Sequence, residues 1–79
     1  MRQDVAPTKG VSMQLSARNQ IKGVIAEIHE GAVEALVKVD IGGQRITSVI
    51  TKDAVADMGL KVGDEVVAII KADHVMLGK

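Results

Sequence analysis

Residues 33–41 constrain the fold most, because apolar residues recur there at every second position. This period is typical of a β-strand with one buried and one exposed face. Gly42 and Gly43 follow as a hairpin signature, and the next segment, residues 45–51, alternates again. The sequence therefore predicts two antiparallel strands joined by a tight turn.

The remaining segments predict more short strands and a single helical turn. The pattern of residues 13–28 is extended, with β-branched residues at Ile21, Val24, Ile25 and Ile28 and with Gly23 marking a bend or a close backbone approach. Thr51 or Asp53 can cap a short helix that ends at Gly59. Residues 65–72 are predicted to form a further strand, and residues 73–77 to continue or restart it as a last short strand. Such a series indicates a small all-β barrel.

The composition predicts one domain that associates with copies of itself. The chain has 79 residues and no cysteine or aromatic residue, yet 47% of it is hydrophobic. A domain this small, with no disulfide bonds to stabilise it, is expected to bury its surplus apolar surface in a homo-oligomer. Residues 1–12 are interpreted as a flexible N-terminal extension or a remnant of the expression vector, which leaves residues 13–79 as the domain.

Charge and hydropathy argue against two classes of partner. Ten basic residues balance ten acidic ones, so no global field attracts nucleic acid or an anionic membrane. No apolar run is long enough to span a bilayer and no signal-peptide pattern opens the chain, which predicts a cytoplasmic protein. Small barrels that bind single-stranded nucleic acid normally offer aromatic stacking platforms, and this chain has none.

The sequence also favours a binding protein over an enzyme. His29 and His74 are the only histidines, and neither has the spacing of a cation site with other ligands. Gly42-Gly43 lacks the spacing of a phosphate loop. The sequence also shows no pattern typical of a catalytic nucleophile with its general base. We therefore expect no catalysis and no metal cation bound directly by side chains.

A local anion site is the remaining chemistry. Its candidate donors lie in residues 16–19, in the predicted strand at residues 45–51 and near the end of the predicted strand at residues 65–72. They are Ser16, Arg18, Asn19, Thr47, Ser48, Thr51 and Lys71. Lys71 continues the alternation of Val67 and Ile69, which predicts a position at a core edge or an interface. A lysine there requires an anionic partner, because an unpaired buried charge is costly.

The same residues carry a family resemblance. The stretch SARNQIKG at residues 16–23 resembles the opening signature of the molbindins, the small molybdenum-pterin-binding (Mop) proteins. The likeness continues through residues 31–33, 46–51, 58–64, 70–72 and 75–77. It implies an OB-like, five-stranded Greek-key barrel, a molbindin-like (TOBE) domain, and assembly as a hexamer, a trimer of dimers, with oxyanions bound between subunits.

The resemblance also implies a ligand and its contacts. The ligand is molybdate or tungstate, with no organic cofactor, held for intracellular molybdenum storage and homeostasis. The implied contacts are Ser16, Arg18, Thr51, Lys71 and the backbone amide of Ala72, with Asn19 as a supporting residue.

Two positions depart from the family pattern. Ala54 stands where regulator-type relatives carry a serine donor, and Asp73-His74 replaces a small polar pair. An acidic Asp73 would weaken dianion binding if it faced the site, so it is expected to point away, and His74 could tune a second, axial site. The loss of the serine leaves open a structural or regulatory interaction module without oxyanion binding. A single-stranded nucleic-acid binder is a more distant alternative.

Overall fold

The computed structural model describes residues 18–79. Its elements in chain order are β1 (Asn19–Glu30), β2 (Glu34–Asp40), β3 (Arg45–Thr51), α1 (Lys52–Met58), β4 (Glu65–Ile70) and a 3-10 helix (Ala72–His74). No helix among these residues is long and apolar enough to cross a bilayer.

The strands form one antiparallel sheet in the order β3-β2-β1-β4. Two hairpins connect β1, β2 and β3, and the chain then returns through α1 to place β4 beside β1. This spatial order is that of a Greek key. The all-β, OB-like expectation with one short helix is confirmed, but only four of the five expected strands lie within residues 18–79.

The long strand β1 changes partner along its length, and this curls the sheet. Its first half pairs with β4, from Asn19 opposite Ile70 to Val24 opposite Glu65. Its second half pairs with β2, and the register shifts between Ile25 and Glu27, so that Ala26 is an extra residue. A bulge of this kind bends a strand and increases its twist.

The hydrophobic core lies on the inner face of this curled sheet. The buried side chains of this core are Ile25, Ala35, Val37, Val39 and Val55, the last contributed by α1. Ile25 also joins the sheet to the turn before β4, because its amide donates to Asp64 O at 2.9 Å and its carbonyl accepts from Gly63 N at 2.8 Å. The centre of β1 is therefore fixed by both packing and backbone hydrogen bonds.

The locally encoded features agree with the sequence predictions. Gly42 and Gly43 adopt φ values of 93° and 99° in the β2–β3 turn, a conformation that side-chain-bearing residues rarely adopt. Thr51 is the N-cap of α1, and Gly59 ends the helix with φ 62° and ψ 39°. Each of these signals depends only on neighbours in the chain.

The prediction for residues 73–77 is wrong. The chain leaves β4 at Ile70 and turns through the 3-10 helix, where His74 N donates to Lys71 O at 2.9 Å, and residues 75–79 have no regular secondary structure. The predicted extension at residues 1–12 and the start of the first predicted strand lie outside the described residues.

Gly23 lies where β1 passes closest to the end of β2. A Cβ atom built there would lie 2.5 Å from Val39 Cγ1 and 2.7 Å from the backbone oxygen of Asp40. Gly23→Ala is therefore expected to lower the free energy of unfolding by about 1–3 kcal/mol, the usual cost of overpacking. Urea unfolding followed by circular dichroism measures it.

The matched control for this substitution is Gly78→Ala. A Cβ at Gly78 meets nothing within 4 Å, so that variant should unfold at the same urea concentration as the parent chain. Equal midpoints for the Gly23 and Gly78 variants would contradict the close approach.

Candidate functional site

Thr51 joins the end of β3 to the start of α1, and its hydroxyl already has one partner. Its Oγ1 accepts a hydrogen bond from Ala54 N at 3.0 Å, which caps the helix. A hydroxyl that accepts in this way keeps its own hydrogen for donation. Thr51 is solvent-exposed, so that hydrogen can reach a ligand without disturbing the cap.

Arg18, Asn19, Lys71 and Ala72 come together at one end of the β1–β4 ladder. Asn19 pairs with Ile70 in the last pair of that antiparallel ladder. Arg18 precedes this pair on one strand and Lys71 follows it on the other, so two cationic residues flank one strand end. None of the ion pairs formed among residues 18–79 involves either of them.

The backbone beside Lys71 supplies a further donor. Lys71 is extended, with φ −67° and ψ 142°, and it precedes the 3-10 helix. The amide of Ala72 is the first of that short helix, so no earlier carbonyl of the turn accepts from it. This end of the sheet therefore combines a guanidinium, a carboxamide, an ammonium and a backbone N–H.

Thr51 and Lys71 each lie one residue beyond a side chain that lines a cleft between β3 and β4. Ile50 and Ile70, the residues just before them, both line this cleft. Thr51 pairs with Glu34, beside the carboxyl end of β1, whereas Lys71 follows the pair of Ile70 with Asn19 at the amino end of β1. The strand register therefore places Thr51 and Lys71 of one chain at opposite ends of β1. Ser16, the remaining predicted ligand, lies outside the described residues.

The other predicted donors have different surroundings. Thr47 and Ser48 line the same cleft along the middle of β3, where Ser48 is opposite Val37 in β2. They lie within an otherwise mostly aliphatic wall. The structure therefore does not place them with Arg18 and Lys71.

Lys71 is exposed in the single chain, and the face that it continues is partly exposed, with Val67 half-buried and Ile69 exposed. Ile69, two residues earlier on that face, is 44% exposed, whereas Val66 on the opposite face packs against the core. Of the two positions predicted for Lys71, a core edge or an interface, the exposure is consistent with an interface that another chain would complete.

The two residues after Ala72 are also exposed. His74 Nδ1 lies 3.9 Å from Asp73 Oδ1, and both side chains point mainly into solvent. Asp73 lies two residues after Lys71 in the sequence, and its carboxylate has the His74 ring beside it.

One polar cluster was not predicted by the sequence. Glu27 accepts from Arg45 Nη1 at 2.7 Å, and its other oxygen lies 2.7 Å from His29 Nε2. The hydrogen bond with His29, and next the one with Arg45, hold the pKa of the Glu27 carboxyl below its ordinary value. A single sequence gives no signal for this contact, because Arg45 reaches Glu27 across β2 only in the bulged register.

Asp40 is a second carboxylate held in its ionised form. The amides of Gly43 and Gly42 donate to its Oδ1 at 3.1 and 3.0 Å and lower the pKa of Asp40. A carboxyl whose pKa is lower in the folded state stabilises the fold above its unfolded pKa and loses that contribution as the pH falls.

Stability is therefore expected to be constant above about pH 5 and to decline at lower pH. The decline begins near the ordinary values of 4.5 for Glu27 and 3.8 for Asp40 and continues through their lowered folded-state values. Urea midpoints measured between pH 3 and pH 7 would show it. A Glu27→Gln and Asp40→Asn double variant should have a shallower slope, and an unchanged slope would contradict the assignment.

Comparison with known proteins identifies the family of this chain. The TOBE domain family matches residues 15–77. A probable molybdenum-pterin-binding protein of Haemophilus influenzae is 48% identical over 67 residues, which cover 84% of this chain and 97% of that protein.

Two solved structures are similar along most of the chain. A molybdate-binding protein from Sporomusa ovata has a TM-score of 0.82 and 37% identity, covering 85% of this chain and all of that one. The cytoplasmic molybdate-binding protein ModG, solved with molybdate bound, has a TM-score of 0.73 and 49% identity over 76% of this chain and 43% of its own. The chain belongs to the molbindin, or molybdenum-pterin-binding protein, family and carries its TOBE domain.

Proposed function

We propose that this protein binds molybdate, or the nearly isosteric tungstate, at sites between the subunits of a hexamer, and that it stores the ion in the cytoplasm. The observation that carries the proposal is the pair of Asn19 with Ile70, which places Arg18, just before Asn19, and Lys71, just after Ile70, at one end of the β1–β4 ladder. Ser16 and Thr51 are proposed to complete the site. The names of the relatives supply the identity of the ion and, for ModG, the compartment.

The chemistry of these groups matches that ion. Molybdate is a dianion with four equivalent acceptor oxygens and no proton to donate at neutral pH. Hydroxyls, amides, a guanidinium and an ammonium are all donors, and charge-assisted hydrogen bonds are the stronger ones. Monohydrogen phosphate carries a proton that would meet only other donors, which disfavours it. Sulfate has the same charge as molybdate, so only its smaller size counts against it.

A shared site explains why these residues are exposed in the single chain. Lys71 and Thr51 are open to solvent, and Ile69 beside Lys71 is an exposed apolar residue. A second subunit would cover this apolar surface and lower the local dielectric around the cations, which strengthens their attraction to an anion. Binding and assembly would then support each other, because only the oligomer contains the complete site.

Equilibrium dialysis tests the proposal directly. The purified protein should retain molybdate, and tungstate about equally, in the presence of excess sulfate. Equal retention of molybdate and sulfate, or retention of neither, would overturn it. Retention of neither by a folded oligomer would favour the alternative, an interaction module that has lost oxyanion binding, for which Ala54 is the supporting feature. A gel shift with a single-stranded oligonucleotide at physiological salt tests the nucleic-acid alternative.

Thr51 offers a test that separates folding from binding. Thr51→Ala removes the helix cap and should lower the free energy of unfolding by about 1 kcal/mol, and it should also weaken molybdate binding. Thr51→Asn can still cap the helix but changes the donor presented to the ligand. We expect Thr51→Asn to restore most of the stability without restoring the affinity, and recovery of both together would contradict a ligand role for the hydroxyl.

A further inference from the structure

Asp73 is the acidic residue nearest in sequence to the Lys71 end of the β1–β4 ladder. It is the middle residue of the 3-10 helix (Ala72–His74), so it directly follows the backbone amide that is proposed to contact the ion. Consecutive Cα atoms are about 3.8 Å apart, which keeps the Cα of Asp73 within roughly 8 Å of the Cα of Lys71. A carboxylate is therefore tied to the same strand end as the ammonium.

Backbone hydrogen bonds hold Asp73 in this position. His74 N donates to Lys71 O at 2.9 Å, and Val75 N donates to Ala72 O at 3.3 Å, so two bonds close the turn that contains Asp73. Lys71, the N-cap residue, makes no side-chain capping bond to this turn. Because the turn is closed by the backbone, a change of the Asp73 side chain leaves these bonds in place.

The charge of Asp73 is not cancelled by a close cation within the described part of the chain. Among the ion pairs of residues 18–79, Asp73 takes part in one, in which His74 Nδ1 lies 3.9 Å from Oδ1, beyond hydrogen-bonding distance. The Asp73 side chain is 70% exposed. Arg18 and Lys71 take part in none of these ion pairs, so neither cation offsets the carboxylate by direct contact.

We propose that Asp73 limits the affinity of the oxyanion site: the strand end attracts a dianion through Arg18 and Lys71 and repels it through Asp73. A carboxylate that points into solvent still acts in this way, because Coulomb repulsion falls only with the inverse of the distance and requires no contact. The inference rests on the proposed function, since it concerns the same site. Its consequence is weaker retention of the ion, which suits a protein that must release what it stores.

The size of the effect follows from the charges and the distance. A dianion and a unit charge about 8–10 Å apart in water repel each other enough to change a dissociation constant roughly 2- to 5-fold at low ionic strength. Salt reduces this repulsion, because the Debye length falls from about 10 Å at 0.1 M to about 3 Å at 1 M. Repulsion through space therefore predicts both a magnitude and a salt dependence.

Titration calorimetry with molybdate on a charge series at position 73 tests the proposal. At low ionic strength, Asp73→Asn should tighten molybdate binding roughly 2- to 5-fold. Asp73→Lys doubles the change in charge and should tighten binding by roughly the square of that factor. In about 1 M sodium chloride, both variants should approach the affinity of the parent chain. Circular dichroism checks that each variant is folded.

Glu65→Gln is the matched control, because it makes the same change in charge at an exposed residue of β4. Glu65 pairs with Val24 at the other end of the β1–β4 ladder. At the rise of a β-strand, its Cα is roughly 20 Å from that of Lys71, which is about two Debye lengths at 0.1 M salt. The control should bind molybdate as the parent chain does.

The outcomes separate this inference from the proposed function. Parental affinity in both position-73 variants would overturn the inference alone, provided that the parent chain binds molybdate. A gain in affinity that persists in about 1 M salt, or an equal gain in Glu65→Gln, would also overturn it, because neither result is local repulsion through space. A folded parent chain that binds no molybdate would overturn the proposed function and this inference together.

Discussion

Lys71→Ala is expected to weaken molybdate binding by roughly 10- to 100-fold. The substitution removes the ammonium that follows the Asn19–Ile70 pair, at the end of the β1–β4 ladder that Arg18 precedes. A hydrogen bond to a charged group contributes about 1.5–3 kcal/mol, and each 1.4 kcal/mol changes a dissociation constant tenfold. Titration calorimetry with molybdate measures both the affinity and the number of ions bound per chain.

Lys61→Ala is the matched control for this substitution. Lys61 is also an exposed lysine, but it lies in the turn before β4, where its backbone amide donates to Asp64 Oδ2 at 2.9 Å. The control should bind molybdate as the parent chain does. Parental affinity in the Lys71 variant, with a native-like circular dichroism spectrum, would reject the role of Lys71 and leave the fold assignment intact.

Ile25→Ala is expected to have the largest effect on stability. Ile25 is 1% exposed, and it lies where β1 meets β2 on one side and the turn before β4 on the other. Truncating a buried isoleucine to alanine costs about 2–5 kcal/mol in lost burial and cavity formation. The chain has no aromatic residue, so unfolding in urea is followed by circular dichroism and not by intrinsic fluorescence.

Val62→Ala provides the comparison, since Val62 is largely exposed and its truncation should change stability by less than about 0.5 kcal/mol. Both variants must be compared at one protein concentration, because self-association shifts apparent stability by mass action. Similar midpoints for the two variants would contradict the placement of the core around the centre of β1.

The site shows how far sequence reasoning extends. The residue types were informative, because an opening Ser-Ala-Arg-Asn and a lysine in strand alternation are poorly explained by folding alone. The placement of Arg18 and Asn19 at the same strand end as Lys71 required the register of β1 against β4, which pairs Asn19 with Ile70, about fifty positions apart. The Glu27–Arg45 contact was not predicted, because it depends on the one-residue shift at Ala26.

The sequence by itself determined the elements whose causes are local. The hairpin at Gly42-Gly43, the cap at Thr51 and the helix end at Gly59 each follow from the conformational preferences of a few adjacent residues. Only the tertiary structure decided which strands pair, where β1 bends, and that the chain turns away from the sheet after Ile70. Those features depend on packing between distant segments, and a strand pattern specifies an inner face without specifying the neighbour that it meets.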